Sequence, residues 1–130
     1  MPHDLTWYAV GEALQLDISG NLSVAEMHLI NQQTIDILAQ SEQKLVLLID
    51  ASGLTSGYLT ADQLRSTQRY KDHPNLDALV IVASSKLNRL ITLLAFNLAL
   101  APFLQFSSKE TAKAYMIRRG FSESSVAIHL

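Results

Sequence analysis

Hydrophobic residues along the chain follow two kinds of spacing, one typical of strands and one typical of helices. From Ala13 to Ile18, leucine and isoleucine alternate with Gln15 and Asp17, which predicts a strand with one buried face. Val24 to Gln40 carries its apolar residues three and four positions apart, which predicts a helix that buries one stripe. The run from Lys44 to Ile49 is apolar without alternation, which predicts a central strand buried on both faces.

The same criteria predict the remaining elements and their order. Further strands are expected at Thr6–Val10, Leu76–Ala83 and Phe103–Phe106, with helices from Thr60 to His73, after Ser84 and Ser85, and from Ser108 to Gly120. The order is therefore β-β-α-β-α-β-α-β-α. Because strands and helices alternate over short connections, we expect an α/β fold with a mostly parallel, mixed sheet of about five strands and about four helices.

Capping residues set the predicted ends of the helices. Ser23 and Glu26 have the spacing of a capping box, in which each side chain accepts a hydrogen bond from a backbone amide of the other residue. Thr60 and Ser108 are the expected caps of the second and final helices, because a hydroxyl oxygen can accept from the free amides of a first turn. Gly120, after Arg118 and Arg119, is the expected end of the final helix.

Composition narrows the class of protein. The 130 residues are 48% hydrophobic and 17% charged, which suits a single domain over residues 1–130. A formal net charge of −2 supplies no basic footprint for a phosphate backbone, so no nucleic-acid partner is expected. There is no cysteine, which excludes disulfides and thiolate chemistry. The first ten residues do not resemble a signal peptide, so we expect a cytoplasmic location.

The carboxyl end of the Lys44–Ile49 strand is the first candidate site. Asp50 follows the strand directly, and the chain is expected to turn through Ala51, Ser52 and Gly53. Ligands of parallel α/β sheets collect at such strand ends. The alternative is structural, since aspartate in a turn commonly accepts backbone amides.

The chain offers no set of residues for catalysis or metal binding. Ser52 has no histidine or lysine partner nearby in sequence, and the four histidines lack the spacing of metal ligands. We therefore expect a protein that is not an enzyme and that needs no metal or cofactor.

The segment Leu87–Leu104 is the second candidate site. On a helical wheel, one apolar arc holds Leu90, Ile91, Leu94, Leu98 and Ala101, and another holds Leu93, Phe96 and Leu100. One arc suffices to cover a sheet, so the second is expected to face a partner or a ligand, unless neighbouring loops or the final helix cover it. Arg89, Asn97 and Pro102 interrupt the segment, so no membrane span is expected.

Three segments resemble the STAS fold, and in particular its SpoIIAA-like branch. They are ISGNLS at residues 18–23, LVLLIDASGL at residues 45–54 and SSKETAKAYMIRRG at residues 107–120. The resemblance implies a non-enzymatic module: an anti-sigma factor antagonist switched by phosphorylation, a domain of an anion transporter, or a protein that binds an apolar, lipid-like ligand.

The phosphorylation switch lacks part of its motif in this chain. Anti-sigma antagonists continue with a second aspartate-serine-serine-glycine run, where the accepting serine lies, whereas residues 54–60 here read LTSGYLT. The candidate phosphoacceptors are Ser56, as the nearest positional equivalent, with Ser52 and Thr60. A phosphate on Ser56 or Thr60 would lie near a helix N-terminus, which favours negative charge.

Two hypotheses for function follow. The first is a regulatory or protein-interaction module, homodimeric or bound to another protein, that uses the third helix and the loop from Asp50 to Tyr58. The second is a carrier or sensor of a small apolar molecule, with a pocket closed by Tyr58, Leu59 and Phe96 and polar groups from Ser52, Ser56, Ser84 and Ser85. The surface residues common to both are Asp50, Ser52, Ser56, Tyr58, Leu93, Phe96 and Leu100.

Overall fold

A six-stranded mixed sheet forms the centre of the molecule. The computed structural model describes residues 3–56, 60–96, 99–124 and 126–128, with the backbone alone at residues 55, 56, 87 and 94. The elements are β1 (His3–Ala9), β2 (Ala13–Asn21), α1 (Val24–Gln40), β3 (Leu45–Ser56), α2 (Ala61–Thr67), a 3-10 turn (Arg69–Asp72), β4 (Leu76–Val82), α3 (Lys86–Phe96), β5 (Phe103–Phe106), α4 (Lys109–Arg118) and β6 (Val126–Ala127).

The strands lie in the order β5-β4-β3-β2-β1-β6. The pairs from β2 to β5 are parallel, whereas β1 pairs antiparallel with both β2 and β6. The predicted α/β class, with a mostly parallel sheet and helical crossovers, is confirmed. The structure adds β6, a short strand in which Val126 pairs with Trp7 and Ala127 with Thr6.

The helices divide unequally between the two faces of the sheet. On one face, α1, α2 and α3 cover a core that includes Leu16, Leu47 and Ile81. On the other face, α4 places Ala112 and Met116 against the alternate residues of the same strands, such as Leu48 and Val80. The β3 and β4 strands are thus buried on both faces, as their unbroken apolar runs predicted.

Helix α1 begins at its predicted residue, although only half of the predicted capping box is present. The Ser23 hydroxyl accepts the backbone N–H of Glu26 at 3.1 Å. The Glu26 carboxylate does not return to Ser23; its Oε2 lies 2.5 Å from Nδ1 of His3, on the edge of β1. Glu26 therefore joins the N-terminal turn of α1 to the sheet.

Strand β3 is longer than predicted and does not turn after Asp50. Asp17 pairs with Asp50 and Ser19 with Gly53, so β3 has one more residue than β2 between these two pairs. This is a β-bulge. Pairing then continues to Ser56, beyond the end of the β4 ladder at Asp50. The aspartate-serine-glycine signal that predicted a turn forms the bulge instead.

The second helix is also shorter than predicted. Thr60 and Gln63 form a full capping box at its start, as expected for Thr60. The α-helix ends at Thr67, however, and the chain reaches His73 through the 3-10 turn, which places the Tyr70 side chain in the core.

Candidate functional site

The Asp50 carboxylate is the centre of a polar cluster on the α4 face of the sheet. Asp50 is 8% exposed, and its Oδ1 accepts both the backbone N–H of Ser52 at 3.0 Å and the Ser52 hydroxyl at 2.5 Å. The Lys109 ammonium, from the first residue of α4, lies 3.5 Å from Asp50 Oδ2 and 3.8 Å from Asp17 Oδ1. The Gln15 amide completes the cluster by donating to Asp17 at 3.1 Å.

The contacts in this cluster are explained by the needs of the fold. The bulge leaves the Ser52 N–H without a strand partner, and Asp50 accepts it. Lys109 balances two carboxylates that the parallel register places side by side. Ser52 and Asp50 could supply part of a serine-based catalytic triad. Among the described residues, however, no histidine and no metal-binding group accompanies them.

The candidate phosphoacceptors differ in their surroundings. Ser52 is exposed, and its hydroxyl donates to Asp50, with Lys109 on the other oxygen of that carboxylate. The Thr60 hydroxyl accepts the Gln63 N–H at 3.1 Å, which makes it the cap of α2. Ser56 is the last residue of β3, and its side chain lies outside the described part of the structure, as does the whole of Tyr58 and Leu59.

The outward surface of α3 is apolar. Leu90 is 52% exposed and Leu93 is 46% exposed, and Leu100, four residues after the helix ends, is 72% exposed. We name these three residues the α3 leucine patch. Lys86 is exposed in the first turn of the same helix, and α3 contains no acidic residue. An apolar cluster of this kind on the surface of a small domain is typical of a contact surface.

The predicted division of α3 into two arcs is wrong for two residues. Phe96, expected on the outward arc with Leu93 and Leu100, is 4% exposed and contacts Tyr70 and Phe103 in the core. Leu90, expected to face the sheet, points outward. The buried side of α3 includes Thr92 and Ala95 together with Phe96.

Hydrogen bonds fix the chain where it leaves α3. The Asp72 Oδ1 accepts the backbone N–H of Leu100 at 3.2 Å, while its Oδ2 accepts from the Lys71 ammonium at 2.8 Å. The Lys71 hydrogen bond is the largest of the contacts that hold the pKa of Asp72 below its usual value. Burial in the adjacent core raises the pKa of Tyr70. The hydrogen bond from Leu100 therefore anchors its backbone to the 3-10 turn.

The two candidate sites lie on opposite faces of the sheet. Asp50 and Ser52 lie with α4, whereas α3 packs against the other face. They therefore do not form one surface, and Ser52 and Phe96 cannot line a common pocket as the second hypothesis required. Residues 50–56 form a strand instead of the expected loop. Ser85 caps α3 by accepting the N–H of Asn88 at 3.0 Å, so its hydroxyl is occupied at the helix start.

A groove that the sequence did not predict lies at the end of the molecule opposite to the Asp50 cluster. It measures about 640 Å³ and is lined by the end of α1, by Trp7 of β1 and by Ile128. Its walls come from three distant parts of the chain, so no local pattern could have predicted it.

No helix in the described part of the chain is long and apolar enough to span a membrane.

Comparison with known proteins identifies the fold but not the function. No protein-family model matches the chain, and no curated protein matches it. A solved structure does match: an uncharacterized protein from the DUF3478 family with a SpoIIAA-like fold, from Shewanella loihica PV-4. The match has a TM-score of 0.62 at 19% identity and covers 87% of this chain and 94% of that one. The resemblance noted in the sequence is thus confirmed at the level of the fold: the chain has a SpoIIAA-like α/β architecture.

Proposed function

We propose that this protein is a non-enzymatic interaction module that pairs with a second copy of itself through the α3 leucine patch. The observation that carries the proposal is the exposure of Leu90, Leu93 and Leu100 on a helix whose other side is already packed. Water contact with this much leucine is unfavourable, and burying it against a partner relieves the cost.

The arrangement of charges around the patch favours a second copy as the partner. If two α3 helices pack antiparallel about Leu93, residue 86 of one copy lies opposite residue 100 of the other. Lys86 would then approach the partner's Leu100, next to the carboxylate of the partner's Asp72. A two-fold contact repeats this pairing on both sides, so one surface supplies both halves of the interface. Antiparallel helices also align opposite ends of their dipoles.

No catalytic set is found among the described residues, which supports the non-enzymatic part of the proposal. The Asp50 cluster is explained by the bulge and by charge balance, and the base that the described residues place beside Ser52 is the Asp50 carboxylate, which already accepts the Ser52 N–H. The arrangement of residues at this end of the sheet thus fits a scaffold, on which a phosphate at Ser52, Ser56 or Thr60 would alter the surface charge.

Sedimentation of purified protein over a wide concentration range tests the pairing. The wild type is expected to pass from monomer to dimer as concentration rises, and Leu93→Glu should weaken the dimer by at least about tenfold, because it puts two like charges at the centre of the contact. Ile117→Glu is the matched control, since Ile117 is 67% exposed on α4, on the far side of the sheet. This control should leave dimerisation unchanged.

Lys86→Glu distinguishes a second copy from an unrelated partner. If Lys86 lies near the Asp72 carboxylate of the other copy, reversal of its charge weakens the dimer. Added salt should then weaken the wild-type dimer but strengthen that of the variant, because it screens attraction in the first and repulsion in the second. A wild type that stays monomeric at every concentration, or a dimer that Leu93→Glu does not affect, would refute the proposal.

A further inference from the structure

We infer that the groove between the end of α1 and the β1–β6 edge binds a small organic cation with an apolar body. This site is independent of the α3 leucine patch and of the Asp50 cluster. Its floor is apolar, formed by Trp7, Ile37 and Ile128, and its rim is polar, with Gln40 and Glu42 among its residues. At about 640 Å³ it has the size of a typical small-molecule site.

The chemistry of the lining favours a positive ligand. Among the described residues that line the groove, Glu42 is the sole charged side chain, and none is a lysine or an arginine. The groove also lies at the C-terminal end of α1, the negative end of the helix dipole, and the last turn of α1 has no basic residue. The Trp7 indole provides the aromatic surface that attracts cations most strongly.

Polar groups at the rim are available to a ligand. Within the described residues, neither the Gln40 amide nor the Glu42 carboxylate has a hydrogen-bond partner, and both residues are exposed. Gln43 is different, because its amide donates to the Gly11 carbonyl and so ties the loop after α1 to the β1–β2 turn. The rim is therefore held in place by Gln43, while Gln40 and Glu42 can contact the ligand.

The C-terminal segment contributes Ile128 to the lining of the groove. Pairing of Val126 with Trp7 places Ile128 beside the indole, where it packs against the main core. Pairing of β6 with β1 thus positions Ile128 in one wall of the groove.

Intrinsic fluorescence tests the inference directly, because Trp7 is the chain's single tryptophan. The probes are octyltrimethylammonium, octanoate and octanol, which share an alkyl chain and differ in charge. The cation is expected to give a saturable change in Trp7 emission, with an affinity at least about fivefold higher than that of octanoate or octanol.

Variants then assign the binding to the groove. Glu42→Gln should weaken binding of octyltrimethylammonium by about two- to fivefold, since the lost contact is a surface charge pair. Glu110→Gln, which removes an exposed carboxylate from the first turn of α4, should have no effect. Leu93→Glu should also have none, which separates this site from the proposed dimer contact. Equal binding of the three probes, no saturable signal, or equal loss in the Glu42 and Glu110 variants overturns the inference.

Discussion

Phe96 and Leu93 are three residues apart on α3, and the structure predicts opposite consequences for their truncation. Phe96 is 4% exposed, and its ring centroid lies 6.5 Å from that of Tyr70 and 6.4 Å from that of Phe103. Truncation of a buried phenylalanine to alanine costs about 3–5 kcal/mol. Loss of two aromatic contacts places Phe96→Ala in the upper part of that range, at about 4 kcal/mol.

Leu93→Ala should cost far less in the isolated chain. Full burial of a leucine side chain contributes about 1.5–3 kcal/mol. Because Leu93 is already 46% exposed, we expect a loss of about 1 kcal/mol from the monomer. The same variant should weaken dimerisation, whereas Phe96→Ala should leave the affinity between folded copies nearly unchanged.

Urea unfolding at a concentration where the protein is monomeric measures both free energies. For a chain of this length, each kcal/mol corresponds to a melting-temperature shift of about 3–4 °C, so the Phe96 variant should melt about 12–16 °C below the wild type and the Leu93 variant about 3–4 °C below. A loss below about 1.5 kcal/mol for Phe96→Ala, or equal losses for the two variants, would contradict the assigned orientation of α3.

Three further predictions follow from the contacts around the fold. Thr60→Ala should cost about 1 kcal/mol of unfolding free energy in urea titrations, because it removes the cap of α2, whereas Thr60→Ser retains the accepting oxygen and should not. Gly53→Ala should destabilise the protein by about 1–2 kcal/mol, since a β-carbon there would lie 3.1 Å from the Ser19 β-carbon; an unchanged melting temperature would argue against the tight β2–β3 approach. The lowered pKa of Asp72 means that the folded chain holds its proton less tightly than the unfolded chain, so this stabilisation is present above the usual pKa and is lost as pH falls below about 4. In an acid titration, Asp72→Asn should not show that loss of stability. The two proteins should differ by under about 1 kcal/mol in unfolding free energy, because the carboxylate is partly exposed.

Local signals in the sequence were sufficient to predict the bounds of several helices and strands. Helix α1 spans the predicted residues 24–40, because an amphipathic stripe and the Ser23 cap agree on its start. Strand β5 also matches its predicted bounds. The alternation of elements, together with the right-handed connection of parallel strands, was enough to give the class of fold.

The prediction of a turn after Asp50 was wrong because the same residue types favour two different local structures. Aspartate, serine and glycine favour turns because their side chains or backbones satisfy local amides. The same properties favour a bulge, in which Asp50 accepts the unpaired Ser52 N–H and Gly53 packs closely against Ser19. The choice depends on the neighbouring strand β2, which continues to Asn21 and keeps β3 extended.

The orientation of α3 could not be predicted for a different reason. When both arcs of a helix are apolar, periodicity shows that arcs exist but not which of them faces the sheet. Here the choice is made by contacts from distant residues: Tyr70 and Phe103 receive Phe96, and the Gln105 amide donates to the Arg89 carbonyl at 2.8 Å. Phe96 and Ala95 are thereby buried over the strands, while Leu90 and Leu93 remain outward.

The orientation of α3 gives a physical reason to expect a partner that covers its exposed leucines. A helix that needed only to protect its own sheet would be expected to turn its leucines inward and its Thr92 outward, since this arrangement removes more apolar surface from water. In the structure Leu90 and Leu93 are instead exposed, whereas Thr92 is 9% exposed and its hydroxyl donates at 2.7 Å to the Asn88 carbonyl. Burial of a threonine costs little when its hydroxyl is satisfied in this way. Leu90 and Leu93 are thereby available for the proposed contact between copies, which is why the dimer test with Leu93→Glu bears on the fold as well as on the function.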